Sequence, residues 1–337
     1  FFFKQKTAYE IRPRDWSSDV CSSDLDPLLG CPVYETIEIR EVKETATRLA
    51  QFRTGQFDII SGSRDLVDQA KATGASVLVR PHANMIGLYF FQTDRPENIF
   101  HDERLRKAAA HAIDHKLIVE AIWNNIGVEP FGCAWPPSTE IASTHPRFAA
   151  TCGKPWPYDP DKARALMKEA GYDPKKSPPV RLEFSTGYPE EGAFAEAMQQ
   201  MLQAVGFNVT VVSVPVSERN RRRTTGEHVN SILFFGSGGR FTSLAGSWSV
   251  YGPEQGWGPK HDADVVRALR RASTAETMEV YSDATAYLAE LVYNRAYGPG
   301  FFDAGSIWFV RRGIPDWGLT KTKGRGPLNL AALATKK

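Results

Sequence analysis

Two helical segments, joined by a stretch rich in Pro, Gly and Trp, constrain the fold of this chain most strongly. In residues 102–125 apolar side chains recur every three or four positions, which predicts one long helix that buries a single face. Asp102 is a suitable N-cap for this helix, and Gly127 follows its last apolar turn. The segment therefore has the features of a core helix with defined ends.

The second segment is a shorter helix with clear start and stop signals. Asp159 can accept a hydrogen bond from a free N–H of the first turn, and Pro160 loses nothing at the first helical position. Gly171 can adopt the left-handed conformation that ends a helix. The residues predicted to face inward are Ala163, Leu166 and Met167.

Several short blocks in and around these helices carry a family resemblance. They are residues 104–109 (RLRKAA), 112–114 (AID), Gly127, 136–137 (PP), 158–163 (YDPDKA) and 170–172 (AGY). In this order and at these spacings the chain resembles the family 5 extracellular solute-binding proteins, the peptide- and nickel-type receptors of bacterial ABC importers. The resemblance extends from about residue 34 to about residue 317.

The resemblance implies an α/β protein with the two-lobed periplasmic-binding-protein-like fold, type II, of the large peptide-receptor subclass. Residues 26–88 and 298–337 would form an incomplete first lobe with an exposed strand edge, and residues 89–297 a complete second lobe. Hinge crossings are expected near residues 88 and 298. The implied function is binding rather than catalysis: a solute is captured between the lobes, the hinge closes, and the closed form is presented to a membrane permease.

The first 25 residues fit neither this family nor an export signal. Residues 1–10, the insert IRPR and residues 15–25 read as the translation of a sequencing adapter, and they lack an apolar core followed by small residues. We therefore expect residues 1–25 to be foreign to the fold. The natural N-terminus, with any export signal, is then expected upstream of this sequence.

Alternating strand and helix signals in the rest of the chain agree with an α/β protein. Strands are predicted at residues 36–42, 57–60, 77–80, 85–91, 180–185, 207–214, 231–235 and 306–311. Further helices are predicted at residues 45–54, 66–73, 190–205, 262–272 and 276–295.

The composition argues against several classes of function. The chain is 42% hydrophobic and 24% charged, with a formal net charge of +2, which fits a soluble globular protein better than one that binds nucleic acid or an acidic membrane. The sequence contains no apolar run long enough to cross a bilayer. Its basic concentration at residues 219–223 lacks interleaved aromatic residues and is interpreted as a solvated helix face or loop.

No catalytic, metal or cofactor site is predicted from the motifs. His111 and His115 lie four positions apart on the predicted long helix and could share a face, but no HExxH context or third ligand accompanies them. The Gly-Ser-Gly-Gly run at residues 236–239 lacks the Lys-Ser/Thr of a phosphate-binding loop. The protein is therefore not expected to be an enzyme.

Cys133 and Cys152 flank a polar, Pro-containing loop. In an oxidising compartment they would form a loop-closing disulfide, with Cα atoms within about 7 Å of each other. Such a bond would stabilise the chain by about 3 kcal/mol in the chain-entropy model. Two unpaired buried thiols fit the sequence equally well, so both alternatives stay open.

The ligand site implied by the resemblance lies on loops that follow strands of the second lobe. Many relatives carry an acidic-proline motif here that can take the amino terminus of a peptide, but residues 238–248 contain no acid. Arg240 instead points to a carboxylate or other anionic group on the solute. Aromatic residues in the same Gly/Ser/Pro-rich segment suit a cleft that closes on a ligand. The predicted ligand-binding residues are Tyr188, Arg240, Trp248, Tyr251 and Trp257, although Trp257 is also expected to anchor its own loop.

The partners implied are a small solute, peptide-like or anionic, and the transmembrane subunits of an ABC permease, with no nucleic acid. A monomer in the periplasm or at the cell surface is expected. The alternative from another class is a transcription regulator that uses the same domain as a ligand sensor behind a DNA-binding segment. The upstream sequence separates the two, because a secretory signal supports the receptor and a helix-turn-helix segment supports the regulator.

Overall fold

The computed structural model describes residues 38–42, 44–133, 145–184, 190–234, 251–252 and 259–314. The chain divides into two compact units, and nearly all described residues belong to the one that contains Val42–Ile314. In the other unit, which contains Phe1–Glu41, the described residues 38–41 form neither helix nor strand. The fold below is that of the larger unit.

The helices and strands of this unit alternate along the chain, as the sequence predicts. The helices are α1 (Thr45–Arg53), α2 (Val67–Lys71), α3 (Glu103–His111), α4 (His115–Trp123), α5 (Pro146–Ala150), α6 (Pro160–Glu169), α7 (Glu191–Ala204), α8 (Val216–Thr225), α9 (Ala263–Ser273) and α10 (Met278–Asn294). The strands are β1 (Ile59–Ser61), β2 (Ser76–Phe90), β3 (Val128–Pro130), β4 (Val180–Phe184), β5 (Val209–Ser213), β6 (Ser231–Phe234) and β7 (Gly300–Val310). Short 3-10 turns lie at Arg64–Leu66 and Ile99–His101.

Across the described residues the strands form one mixed sheet in the order β1-β7-β2-β6-β4-β5, and β3 pairs with β7 beside β1. Strand β2 pairs antiparallel with β7 from Ser76 to Gly87 and with β6 at residues 88–90. Strands β6, β4 and β5 run parallel to one another. The long strands β2 and β7 therefore connect the end of the sheet that holds β1 and β3 to the parallel end.

Three hydrophobic clusters cover this sheet. The largest packs α3, α4, α6 and α7 against β4 and β6 and includes Leu88, Leu182 and Phe194, each at most 1% exposed. A second surrounds α9 and α10, and a third packs α1 and α2 on β1 and β7. Helices on a sheet whose parallel strands are apolar are what the predicted α/β class requires.

The single long helix predicted at residues 102–125 is wrong, because the chain forms α3 and α4 with a break between them. Asp114 starts a new helix at the break: its carboxylate accepts from the N–H of Leu117 at 3.1 Å. Leu105, Ile113 and Ile118 are nevertheless all buried, so the apolar period runs through the break without interruption. Periodicity reports which side is buried and does not detect a local cap.

This break also separates the two histidines that were predicted to share a helix face. His111 ends α3, and its Nδ1 donates to the carbonyl of Pro157 at 2.8 Å. His115 begins α4, and its ring stacks at 6.3 Å on that of Phe301. Burial lowers the pKa of both imidazoles. They are packed core histidines on different helices.

Other element predictions need smaller corrections. The strands predicted at residues 77–80 and 85–91 are one strand with a bulge between Arg80 and Asn84, and the last strand begins at Gly300 rather than near residue 306. Residues 38–42 of the strand predicted at 36–42 are not a strand. Strand β3 and helices α5 and α8 were not predicted.

The second core helix, α6, is confirmed in detail. Asp159 accepts from the N–H of Lys162 at 2.9 Å, and Pro160 is the first helical residue. Gly171 has φ +68°, the left-handed conformation expected at the end of the helix. Ala163 and Met167 are buried, and Leu166 is half-buried against the largest cluster.

Candidate ligand-binding site at the strand ends

The carboxyl ends of the neighbouring parallel strands β4 and β6 lie side by side. Their register pairs Leu182 with Ile232 and Glu183 with Leu233, so Phe184 and Phe234 lie at the same edge. In open sheets with parallel strands, ligands bind at the carboxyl ends of the strands. In the sequence, Tyr188 follows the end of β4 by four residues and Arg240 follows the end of β6 by six, and both are predicted ligand-binding residues.

Of the five predicted residues, only Tyr251 lies within the described part of the chain, and Tyr188, Arg240, Trp248 and Trp257 lie outside it. Tyr251 is 3% exposed and belongs to the cluster that contains Phe131, Phe148 and the two cysteines. Burial raises the pKa of its phenol well above the usual value. The ring is therefore packed inside this cluster, where a half-exposed position was expected, and its contact with a ligand stays a prediction.

A buried carboxylate lies one residue before the end of β4. Glu183 is fully buried and forms ion pairs with Arg181 and, at 3.2 Å, with Arg222 of α8. Its other contacts are the hydroxyl of Ser231, which donates at 3.3 Å, and Nδ1 of His228 at 3.3 Å. Desolvation raises the pKa of Glu183, but His228 and Arg181 outweigh it, so the net pKa lies below the usual range.

Helix α8 closes this face of the sheet with its basic residues. Arg219 is 6% exposed, and its carbonyl accepts from Nε2 of His228 at 3.3 Å, while Arg222 reaches Glu183. Arg221 stays at the surface between Glu218 and Glu227. The interpretation of residues 219–223 as a solvated face or loop is therefore wrong for Arg219, which is buried, and for Arg222, which pairs with the buried carboxylate of Glu183. No local pattern in the sequence indicates that ion pair.

The end of β2 joins the same polar region. The amide oxygen of Gln92 accepts from the backbone N–H of His228 at 3.2 Å, and Gln92 has φ 53°, unusual for a residue other than glycine. Backbone strain of this kind persists where surrounding contacts enforce it, often near a functional site. The region therefore connects the end of β2 to the strand ends of the parallel sheet.

The two predicted crossings lie next to each other. The N–H of Leu88 donates to the carbonyl of Pro299 at 2.8 Å, and Gly87 pairs with Gly300. A Cβ on Gly87 would lie 2.4 Å from the oxygen of Pro299, closer than side chains are found. Close backbone approach therefore requires glycine here. The assignment of lobes on either side of these crossings remains a prediction.

A disulfide bond between Cys133 and Cys152 lies against the second crossing. The two Cα atoms are 4.8 Å apart, inside the predicted limit of about 7 Å. Cys133 forms a β-bridge with Pro299, and both cysteines are fully buried. Of the two alternatives left open by the sequence, the structure has the bonded one.

Neither a membrane span nor a metal cluster is found among the residues that the structure describes. No helix there is long and apolar enough to cross a bilayer. No group of three or more His, Cys, Asp or Glu side chains in the described ranges is arranged to hold a metal ion.

The family model for bacterial extracellular solute-binding proteins, family 5 Middle, matches residues 29–257 of the chain. The chain belongs to this family. Its members are binding proteins rather than enzymes, so the assignment to a non-catalytic class follows from the family. The resemblance stated from the sequence blocks is thereby confirmed.

Curated relatives of this solute-binding protein include glutathione-binding proteins. GsiB from Salmonella choleraesuis (strain SC-B67) is 24% identical over 271 residues, which cover 76% of this chain and 50% of GsiB. GsiB from Escherichia coli (strain K12) is 25% identical over 273 residues, with the same coverage. The chain thus spans about half the length of the curated relatives that it matches.

Solved structures establish the fold of this solute-binding protein. A putative peptide binding protein, AppA from Clostridium difficile, superposes with a TM-score of 0.73 at 12% identity over 90% of this chain and 60% of AppA. NikZ from Campylobacter jejuni, crystallised with Ni(L-His), gives a TM-score of 0.68 at 18% identity over 88% of this chain and 61% of NikZ. The predicted α/β class of the peptide- and nickel-type binding proteins is confirmed.

Sequence reasoning missed two residues of the polar region around the ends of β2, β4 and β6 in this solute-binding protein, Glu183 and His228. One signal was available for Glu183: in the strand sequence VRLEF, alternation places Arg181 and Glu183 on the face opposite Leu182. An acid and a base on one face of a buried parallel strand indicate a compensated charge cluster. No comparable signal in the sequence singles out His228.

Proposed function

We propose that this chain is the receptor of an ABC importer and captures a peptide-like or anionic small solute beside the carboxyl ends of β4 and β6. The observation that carries the proposal is the adjacency of the strand ends at Phe184 and Phe234, because Tyr188 and Arg240 follow these two neighbouring ends by four and six residues in the sequence. The family match supports receptor function. Delivery to the transmembrane subunits of a permease follows from that function.

The chemistry of the proposed site favours recognition led by a carboxylate. Residues 238–248 contain Arg240 and no acid, so they offer a planar cationic fork and nothing that would neutralise a ligand's ammonium group. Relatives of the chain are named for binding glutathione, a tripeptide with two carboxylates and one amine. We therefore propose a small peptide-like solute whose carboxylate pairs with Arg240.

The proposed compartment is the periplasm or the cell surface, and the proposed state is a monomer. Structural disulfides persist in oxidising compartments, and the Cys133–Cys152 bond is fully buried. The family is one of extracellular proteins. Both observations support export.

Calorimetric titration of the full chain with glutathione and two derivatives tests the proposal. One derivative has its carboxylates converted to amides, and the other has its amine acetylated. We expect amidation to weaken binding by about tenfold or more, since a charge-assisted hydrogen bond is lost, and acetylation to change the Kd by less than about threefold. The Arg240→Gln variant should show a matching loss, while Arg270→Gln, on the exposed face of α9, should bind like wild type.

Two outcomes would contradict this function. Absence of binding for glutathione and for unmodified di- and tripeptides would contradict the proposal that the solute is peptide-like. Binding that survives amidation but is lost on acetylation would show recognition led by the amine and exclude the role assigned to Arg240.

A further inference from the structure

Arg64 joins three segments that are far apart in the sequence. Its side chain, on the 3-10 turn before α2, is 9% exposed. Nε donates to the carbonyl of Ile126 at 3.1 Å, Nη2 to that of Gly305 in β7 at 2.6 Å, and Nη1 to the carboxylate of Glu190 at 3.3 Å. A planar guanidinium with several donors suits this kind of fixed, multiple contact.

The guanidinium of Arg64 also contacts one aromatic ring, which packs against two others. Its Cζ lies 5.9 Å from the ring centre of Trp123, within the range of a cation–π contact. Trp123 meets Phe194 of α7 edge-on at 5.5 Å and Phe302 of β7 at 4.9 Å. The same cluster therefore touches the first turn of α7 and the strand that returns through the second crossing.

Glu190 is the residue immediately before α7. Its backbone carbonyl and its side-chain carboxylate bind different partners. Its backbone carbonyl accepts from the N–H of Phe194 at 3.1 Å, the first bond of the helix, but its side chain makes no capping bond to α7. The carboxylate contacts Arg64 instead, and it is 22% exposed on the side-chain scale. The start of α7 is thus attached by this ion pair to a residue bonded to β7.

The charges of this pair compensate each other. Burial lowers the pKa of Arg64, and the carboxylate of Glu190 acts in the opposite direction. Removal of the carboxylate would leave a largely desolvated cation with two carbonyl partners. Those two bonds would keep Arg64 in place, so the loss should be felt at Glu190 more than in the fold as a whole.

We propose that Arg64 is a positioning residue for the ligand site, because it fixes Glu190, which precedes α7 and follows Tyr188 by two residues in the sequence, to the crossing strand β7. The inference rests on the proposed function, because Tyr188 belongs to the proposed site. In the predicted lobe division Arg64 and Gly305 lie in the first lobe and Glu190 in the second. The ion pair then couples the start of α7 to the hinge.

Hydrogen–deuterium exchange of the full chain tests the positioning role without any ligand. In Glu190→Gln and in Arg64→Lys, amides in the first two turns of α7 should exchange about fivefold faster than in wild type, as expected when a partly buried ion pair is lost. Amides of α9 should be unchanged. The matched control is Glu103→Gln, which breaks an ion pair of 2.6 Å with Lys107 away from the site and should leave α7 unaffected.

Glutathione titration then tests the link to binding. At a temperature well below the Tm of either variant, Glu190→Gln should raise the Kd about fivefold, whereas Glu103→Gln should leave the Kd unchanged. The Arg64→Lys/Glu190→Gln double variant should be no weaker than the worse single variant. Unchanged exchange in α7, or a Kd of Glu190→Gln equal to that of the control, would overturn the inference. If wild type itself fails to bind glutathione and peptides, the proposed function fails, and exchange alone decides whether Arg64 positions α7.

Discussion

At the scale of single residues, the chain places charge where a strand pattern would place apolar groups. Glu183 is fully buried in a parallel strand, yet Arg181, Arg222 and His228 surround it. A buried carboxylate is tolerated only when opposite charges and hydrogen bonds replace the lost water. The cluster therefore determines that α8, with its arginines, covers this face of the sheet.

The Glu183→Gln variant should lose about 1–3 kcal/mol of unfolding free energy, because the partly buried guanidinium groups of Arg181 and Arg222 lose their charged acceptor. Urea denaturation at pH 7 measures the loss. The matched control is Asp161→Asn, which removes the acid of an exposed pair with Arg164 and should change stability by less than about 1 kcal/mol. Equal losses in the two variants would contradict the buried-charge argument.

The same carboxylate predicts a dependence of stability on pH. The pKa of Glu183 is lower in the folded protein than in the unfolded chain, so the unfolded state binds the proton more readily. Its stabilising contribution is present above the unfolded pKa of about 4.3 and is lost as the pH falls through the lower folded value. Below about pH 4.3 the unfolding free energy of wild type should therefore fall more steeply with decreasing pH than that of Glu183→Gln. Urea denaturation at a series of pH values from 6 downward measures both profiles. Parallel profiles would show that Glu183 does not contribute this dependence.

At the scale of elements, local signals decided ends and tertiary contacts decided lengths. Asp159 and Gly171 bound α6 where the sequence places them. Strand β7 is much longer than its local pattern, because β2 pairs along it while β1 and β3 share its other edge. Extended backbone is stabilised by partners on both sides, and local propensity contains no information about them.

The cap that divides the predicted long helix gives an element-scale prediction. Asp114→Ala should destabilise the protein by about 1 kcal/mol, because an N–H at the start of α4 loses its acceptor. Asp114→Asn retains an acceptor oxygen and should remain within a few tenths of a kcal/mol of wild type. Thermal unfolding followed by circular dichroism measures both. If alanine and asparagine behave alike, the break between α3 and α4 does not depend on this cap.

At the scale of the whole molecule, the disulfide and the paired crossings lie together. Cys133 bridges Pro299, Gly300 packs on the backbone of Cys133, and Gly87 packs on Pro299. A bond from Cys133 to Cys152 therefore closes its loop at the point where β2 and β7 pass between the two ends of the sheet. Its contribution belongs to the whole fold because it restricts the unfolded chain.

Replacement of both cysteines, Cys133→Ala/Cys152→Ala, should lower the unfolding free energy by about 2–5 kcal/mol. Treatment of wild type with a reductant under unfolding conditions should have an effect of similar size, whereas the double variant should not respond to reductant. Guanidinium denaturation with and without dithiothreitol measures both. A double variant as stable as wild type would show that the bond contributes nothing to the fold.

The sequence by itself determined the family, the α/β class, and the positions of α6, α7, β4 and β6, because caps, glycine stops and apolar periods are encoded within a few residues of each other. Only the tertiary structure decided that Glu183 faces Arg222, that Arg64 reaches Glu190, and that the two cysteines are bonded. The two ion pairs join residues that are 39 and 126 positions apart, so no local spacing reveals them, whereas for the cysteines the sequence left the bonded and the unbonded state open. The contacts of Tyr188 and Arg240 with a solute likewise remain predictions from residue chemistry, since they depend on how distant loops meet. Neighbouring side chains determine where helices and strands begin and end, whereas a binding site depends on the packing of residues that are distant in the sequence.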